Sequence, residues 1–150
     1  MAETLTALTD QQLPMLQKEK FVLLSTIDAE TGAPSVNAIS WVYAMGPDRL
    51  RFAVDQRSRI IQNVQAHAQA AITFFGGGSV HTVNGTAKLV AEQLDGVPIK
   101  LACVEVEVAS VRDVMFYGSR ISVEPQYEKT YDKRAAEKLD GQVFHAMNKA

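Results

Sequence analysis

Two arginines flank a serine at Arg57-Ser58-Arg59, where the chain changes its period. Before them, Leu50, Phe52 and Val54 alternate with Arg49, Arg51, Ala53 and Asp55, the repeat of a half-buried strand. After them, Ile61, Val64 and Ala68 fall at helical spacing. Asp55 and Ser58 both have the chemistry of a helix N-cap. The first N–H groups of a helix lack intrahelical acceptors, and its dipole is positive there. Two guanidinium groups and a hydroxyl beside such an end suit a phosphate. The same pattern also describes a solvated helix start with two exposed arginines, and the spacing alone favours that plainer reading.

Other candidate groups carry weaker signals. Gly76-Gly77-Gly78-Ser79 does not open onto a helix, because the residues after it alternate like a strand, so it reads as a hairpin and not a phosphate loop. Glu105 and Glu107 stand two apart on the cleanest alternation in the chain, in which Val104, Val106 and Val108 face the core and Cys103, Glu105 and Glu107 face out or toward a partner. Paired strand carboxylates can serve acid–base chemistry, but more often they form a solvated face. His67, His81 and His145 have no carboxylate or second histidine at ligand spacing, so no metal site is expected. Cys103 is the only cysteine, which excludes an internal disulfide and a cysteine-based zinc site. No Gly-x-Ser-x-Gly elbow, phosphate-binding Walker loop or dinucleotide fingerprint is present, so any demanding chemistry belongs to a cofactor.

The elements that must position these groups follow from period and punctuation. At 150 residues the chain is long enough for one domain over 1–150 with a substantial core, and its 47% hydrophobic content is that of a globular protein. A formal net charge of −2 gives no overall basic surplus for nucleic acid or an anionic membrane. The first residues lack a signal-peptide pattern and no apolar run reaches membrane-spanning length, so a soluble, cytoplasmic chain is expected. Thr9 and Gln12 form a capping box for a helix to about Glu19. Strands are expected over 21–28, 35–45, 49–54, 70–75, 80–94 and 101–117, with a bulge near Ser110 and a close backbone approach at Gly85. In the long stretch 35–45, Val36, Ala38, Ser40 and Val42 share one face while Asn37, Ile39, Trp41 and Tyr43 share the other. A helix with Ala136, Leu139, Val143 and Met147 on one stripe ends the chain. Six strands joined by turns, a short crossover helix and terminal helices predict a mainly β, antiparallel barrel.

Taken in order, Phe52-Ala53-Val54-Asp55, Ser58-Arg59, Asn63-Val64 and Ala70-Ala71-Ile72-Thr73-Phe74 resemble the FMN-binding split-barrel family, the pyridoxamine 5′-phosphate oxidase-like proteins. Gly32-Ala33-Pro34 resembles the family's Gly-x-Pro entry to its second strand, and Val83-Asn84-Gly85-Thr86-Ala87 its later strand with a central glycine. The likeness spans about residues 9–116.

The resemblance implies a six-stranded split barrel of Greek-key type and a homodimer with flavin held between subunits. It implies that Arg57, Ser58 and Arg59 grip the FMN phosphate. It places Asn37, Ala38, Ile39, Ser40 and Trp41 along the isoalloxazine edge, with Ala53 and Val54 near the ring or ribityl chain. Val80 falls where relatives often carry a glutamine that reaches flavin from the other subunit, Ile60 where they have lysine, and Asn37 where they often have arginine. FAD, deazaflavin F420 and haem are the alternative cofactors. The arginine and tryptophan signature of the vitamin B6 oxidases is absent, since Trp41 is the only tryptophan. The resemblance therefore implies the stress-protein-like branch and a flavin-dependent oxidoreductase acting on a small molecule, with FMN binding without turnover as the alternative. An oligonucleotide-binding barrel, hinted at by Arg49, Arg51 and Phe52, is a third reading.

Overall fold

The computed structural model describes residues 4–150. Its elements are β1 (Val22–Ile27), β2 (Pro34–Ile39), β3 (Val42–Gly46), β4 (Arg49–Asp55), α1 (Arg59–Ala66), β5 (Gln69–Gly76), β6 (Ser79–Ala91), β7 (Leu101–Asp113) and α2 (Lys133–Lys149). The strands form one antiparallel sheet in the order β2-β1-β5-β6-β7-β4-β3. The fold is mainly β and antiparallel, as expected, but it has two helices, one of them at a terminus, and seven strands in an open sheet and not six in a closed barrel.

The difference arises at Ser40 and Trp41. The expected strand over 35–45 breaks there, so that β2 pairs with β1 on one edge of the sheet and β3 pairs with β4 on the other. A flat sheet of this width would hold its edge strands about 29 Å apart. Ile39 and Val42 are joined by three peptide units and lie at most about 11 Å apart. The sheet must therefore curl until its edges nearly meet. The facing also reverses across the link. In β2, Val36 is 59% exposed while Ile39 packs on the main core; in β3, Val42 and Ala44 are fully buried. The shared face expected for Asn37, Ile39, Trp41 and Tyr43 is thus corrected: Ile39 turns to the interior of the curl, and Trp41 and Tyr43 turn outward beneath α2.

The interior is filled by alternate residues of every strand except β2's outer edge, including Val22, Leu24, Val42, Leu50, Phe52, Ile72, Phe74, Val83, Val104 and Val106. α1 closes one end with Ile60, Ile61 and Val64. A second cluster lies outside the sheet, where Val143, Ala146 and Met147 of α2 cover Ala53, Leu101 and Cys103. Burial raises the Cys103 thiol to about 11, so it is protonated and inert at neutral pH. This cover corrects the outward reading of β7. Cys103 and Glu105 are buried beneath α2, and Glu107 alone of the three stays exposed.

Local chemistry accounts for the connections. Gly77 and Gly78 both have positive φ, 60° and 79°, which the two-residue turn between β5 and β6 requires. At Gly85 a Cβ would collide with the Glu107 carbonyl oxygen and stand 2.7 Å from Val106 Cγ1. Asn84 faces Ser110 and Gly85 faces Val108, so Ala109 bulges out of β7. The capping box forms reciprocally, Thr9 N donating to Gln12 Oε1 and Gln12 N to Thr9 Oγ1. It leads only into one 3₁₀ turn, Leu13–Leu16, and not a helix to Glu19. The Gln17 side chain donates to Ala44 O and helps cover the β3 edge.

Candidate functional site

The Arg57–Arg59 segment lies where β4 gives way to α1. Asp55 starts the turn, accepting from Arg57 N at 2.8 Å, and that hydrogen bond holds its carboxyl below the ordinary range. Ser58 is the N-cap, in extended backbone, and its hydroxyl accepts from Ile60 N. The change of period at Ser58 is thus the real start of the helix. The helix stops after Ala66, where His67 returns to extended backbone.

The two arginines differ. The Arg57 side chain is 91% exposed and its one ion pair is a 3.5 Å contact with Asp55. Arg59 reaches back to the β1–β2 hairpin. Its Nε donates to Asp28 Oδ1 at 2.6 Å and its Nη2 to Asp28 Oδ2 at 3.1 Å, with Glu30 3.5 Å away. The Arg59 guanidinium, first among several donors, holds the Asp28 carboxyl well below the usual carboxylate range. Asp28 in turn raises Arg59 above its ordinary value, so both groups stay charged across the physiological range. Asn63, buried in α1, joins the same two elements: it accepts from Ala29 N and donates to Thr26 Oγ1. The sequence marks Asn63 only as part of a motif and gives Asp28 no site role, because their partners lie 31 and 34 or more positions away.

A cleft of ≈ 300 Å³ opens beside the first turn of α1, lined by Gln56, Ile61, Gln65, Leu89, Glu92 and Ala102. A phosphate at this turn would meet the exposed Arg57 guanidinium, the Ser58 hydroxyl and the Arg59 Nη1, which has no partner among the described residues. The donor set therefore fits the phosphate end of a flavin nucleotide. Ile60 is buried in the main core and takes no part.

The remaining expected residues are dispersed. Asn37 and Ala38 are exposed on the edge strand β2, with Ile39 half-buried beside them. Ser40 and Trp41 form the link between sheet edges, and Trp41 O accepts from Ala53 N. The Trp41 indole donates to Asp140 Oδ1 at 2.8 Å and packs in the α2 cluster. Ala53 belongs to that outer cluster, whereas its neighbour Val54 points into the main core. Val80 lies at the start of β6, nine residues before Leu89 in the cleft, which is about 30 Å along an extended strand. Within one chain, Val80 and the α1 turn occupy opposite ends of the sheet.

The oligonucleotide reading loses two of its three residues, Arg49 alone staying exposed. Phe52 is fully buried, and Arg51 is buried against Glu105 with Nη1 donating to Met147 O and Ala150 O. Among the described residues no group of three or more histidine, cysteine or carboxylate side chains could hold a metal ion, and no helix is long and apolar enough to cross a membrane.

A family profile described as pyridoxamine 5′-phosphate oxidase matches residues 8–113, from the capping-box turn to the end of β7. No curated protein matches the chain by sequence. Solved structures do. A protein of Lactobacillus delbrueckii assigned to the pyridoxamine 5′-phosphate oxidases superposes with a TM-score of 0.62 at 18% identity, covering 73% of this chain and 97% of its own. HupZ of group A Streptococcus gives 0.59 at 12% identity over 77% of this chain and 100% of its own. An F420 reductase gives 0.56 at 18% identity over 65% and 93%. At these identities the likeness establishes the fold.

Proposed function

Because the chain belongs to the pyridoxamine 5′-phosphate oxidase family, we propose that it is an FMN-binding flavoprotein, a flavin-dependent oxidoreductase acting on a small molecule. The observation that carries this reading is the Ser58-capped start of α1 with two half- to fully exposed guanidinium groups flanking the cap. Arg57, Ser58 and Arg59 would hold the phosphate by charge-assisted hydrogen bonds. Asn37 to Trp41, Ala53 and Val54 are the proposed neighbours of the ring and ribityl chain. Bound flavin would supply reversible transfer of reducing equivalents, and the chain's part is to bind, orient and exclude water.

The active unit in this reading is a cytoplasmic homodimer. Two features support it. Among the described residues no helix covers the outer face of β2, β1, β5 and β6, and it carries Leu23, Ile27, Val36, Ala38 and Phe75 in part or full exposure. Soluble monomers rarely leave such a face to water. Val80 can approach an α1 turn only if that turn belongs to a second copy. Sedimentation showing a folded monomer at micromolar concentration would count against the dimer.

The decisive experiment is the absorption spectrum of the purified protein, followed by extraction of whatever it carries. Flavin bands and recovered FMN, reducible by NADH or NADPH with onward transfer to an acceptor, are the expected result. A flavin that binds and is not turned over leaves a storage or sensing role. A haem or deazaflavin spectrum, or no affinity for added FMN, overturns the assignment.

A further inference from the structure

The Asp28 carboxylate is the most heavily bonded acid among the described residues. Its Oδ2 accepts from Glu30 N, Thr31 N and Thr31 Oγ1, all in its own hairpin, and its two oxygens together take Arg59 Nε and Nη2. Its side chain is 13% exposed. A free surface pair would swing, and its net contribution would be small. Here one partner cannot move. The three hairpin donors clamp the carboxylate, and Asn63 ties that hairpin to the middle of α1 through Ala29 N and Thr26 Oγ1. The clamp and the helix that carries Arg59 therefore form one rigid unit.

Two consequences of opposite sign are conceivable for an anion at the α1 turn. Asp28 could compete with it for Arg59, or it could aim Arg59 at it. Geometry separates them. A guanidinium has five N–H donors in a planar fork. Asp28 takes the Nε–Nη2 side, and the Nη1 donors remain without a partner among the described residues. An incoming phosphate can use Nη1 without breaking either bond to Asp28. Ordering a long, flexible side chain before the ligand arrives removes part of the entropy that binding would otherwise cost.

We propose that Asp28 is a positioning residue for Arg59: the hairpin-clamped carboxylate fixes the guanidinium by Nε and Nη2 so that Nη1 is presented to the phosphate at the start of α1. This rests on the flavin-nucleotide reading above and adds a residue from a different element of the fold. It also gives a reason for the hairpin to be latched to α1 twice.

The test compares FMN with riboflavin, which has the same ring and no phosphate, in fluorescence titrations of the full-length protein. Asp28→Asn keeps an oxygen acceptor for the hairpin donors and removes the charge. Its expected effect is a loss of FMN affinity of about tenfold, the order seen when a partner that orients a ligand-binding group is removed, with riboflavin affinity unchanged. In an Arg59→Ala background, Asp28→Asn should add nothing, because the two act as one unit. FMN affinity that stays equal or rises in Asp28→Asn overturns the proposal and makes Asp28 a competitor. Loss of riboflavin affinity to the same extent also overturns it, since the effect would then be general. If Asp28→Asn fails to fold, Arg59→Lys carries the question. A lysine keeps the charge but cannot serve Asp28 and a phosphate through a fork, so its FMN affinity should fall close to that of Arg59→Ala, and wild-type affinity would overturn the proposal. A wild-type protein that binds no FMN at all refutes the flavin reading itself, a result distinct from each of these.

Discussion

Arg51–Glu105 and Arg59–Asp28 are both arginine–carboxylate pairs between distant segments, and they serve opposite ends. Arg51 has a side chain only 10% exposed. Its Nε meets Glu105 at 3.1 Å and its Nη1 holds the Met147 and Ala150 carbonyls at the end of α2, where a cation also opposes the helix dipole. Its partners are structural throughout. Arg59 is 52% exposed and has its carboxylate on one side only, with Nη1 unpartnered among the described residues on the other. The comparison teaches that residue type and pairing do not decide whether an arginine is structural or available. Burial and the count of unused donors do.

The sharpest way to break this contrast is at the buried pair. Arg51→Ala leaves Glu105 without its closest partner and the end of α2 without its cation, and should cost about 3–5 kcal/mol. Urea unfolding should show this as a lower midpoint, while the folded fraction keeps its affinity for FMN. A midpoint within error of wild type would mean that the clamp is idle. Next in size is Arg59→Ala, which should weaken FMN about tenfold to a hundredfold in a flavin titration, with its urea midpoint lowered far less than that of Arg51→Ala. A large stability loss with intact flavin binding would make Arg59 a second Arg51 and erase the distinction. Arg57→Ala, at the exposed extreme, should weaken FMN less than about fivefold; a larger loss would transfer the principal phosphate contact from Arg59 to Arg57.

The smallest effect is a pH dependence. Asp28 has its folded pKa lowered from 3.8. As pH falls, the unfolded chain takes up this proton first. The stabilisation is therefore complete above 3.8, erodes as pH drops below that value, and is gone once the folded carboxyl is protonated. Chemical denaturation across the acid range should lose stability more steeply in wild type than in Asp28→Asn. Parallel slopes would show that Asp28 is not held by Arg59 in solution.

The sequence made local features legible and left long-range ones hidden. Ser58 was readable as a helix start because a strand period meets a helical one there, and α2 because its apolar stripe is regular. Gly85 was readable because a lone glycine inside a strand signals close approach. The break at Ser40-Trp41 was not, because apolar and polar residues keep alternating through it while the pairing partner and the buried face both change. Alternation reports that a residue has a side, and cannot report which layer that side meets. The same blindness made Glu105 look solvated: its burial depends on α2, which returns from far along the chain. For the site, Arg57, Ser58 and Arg59 are adjacent in sequence and were found. Asp28 and Asn63 act across the fold, and nothing local marks the bonds they make there.

The two-residue link at Ser40-Trp41 also constrains how the chain can assemble. Three units can form locally: the β1–β2 hairpin, the β3–β4 hairpin and the β5-β6-β7 meander. The hairpins must dock on opposite sides of the meander, through pairings such as Ser25 with Ala71 and Phe52 with Val104, which lie 46 and 52 positions apart. Such non-local contacts dominate the kinetic barrier, because loop closure precedes any reward from the contacts. The link makes the two dockings dependent on each other. Once either hairpin has docked, its tether of two residues holds the other close to its own side of the meander, so the second search begins almost finished. Assembly should therefore be concerted, with little accumulation of a half-wrapped chain whose strand edges stand open to other molecules.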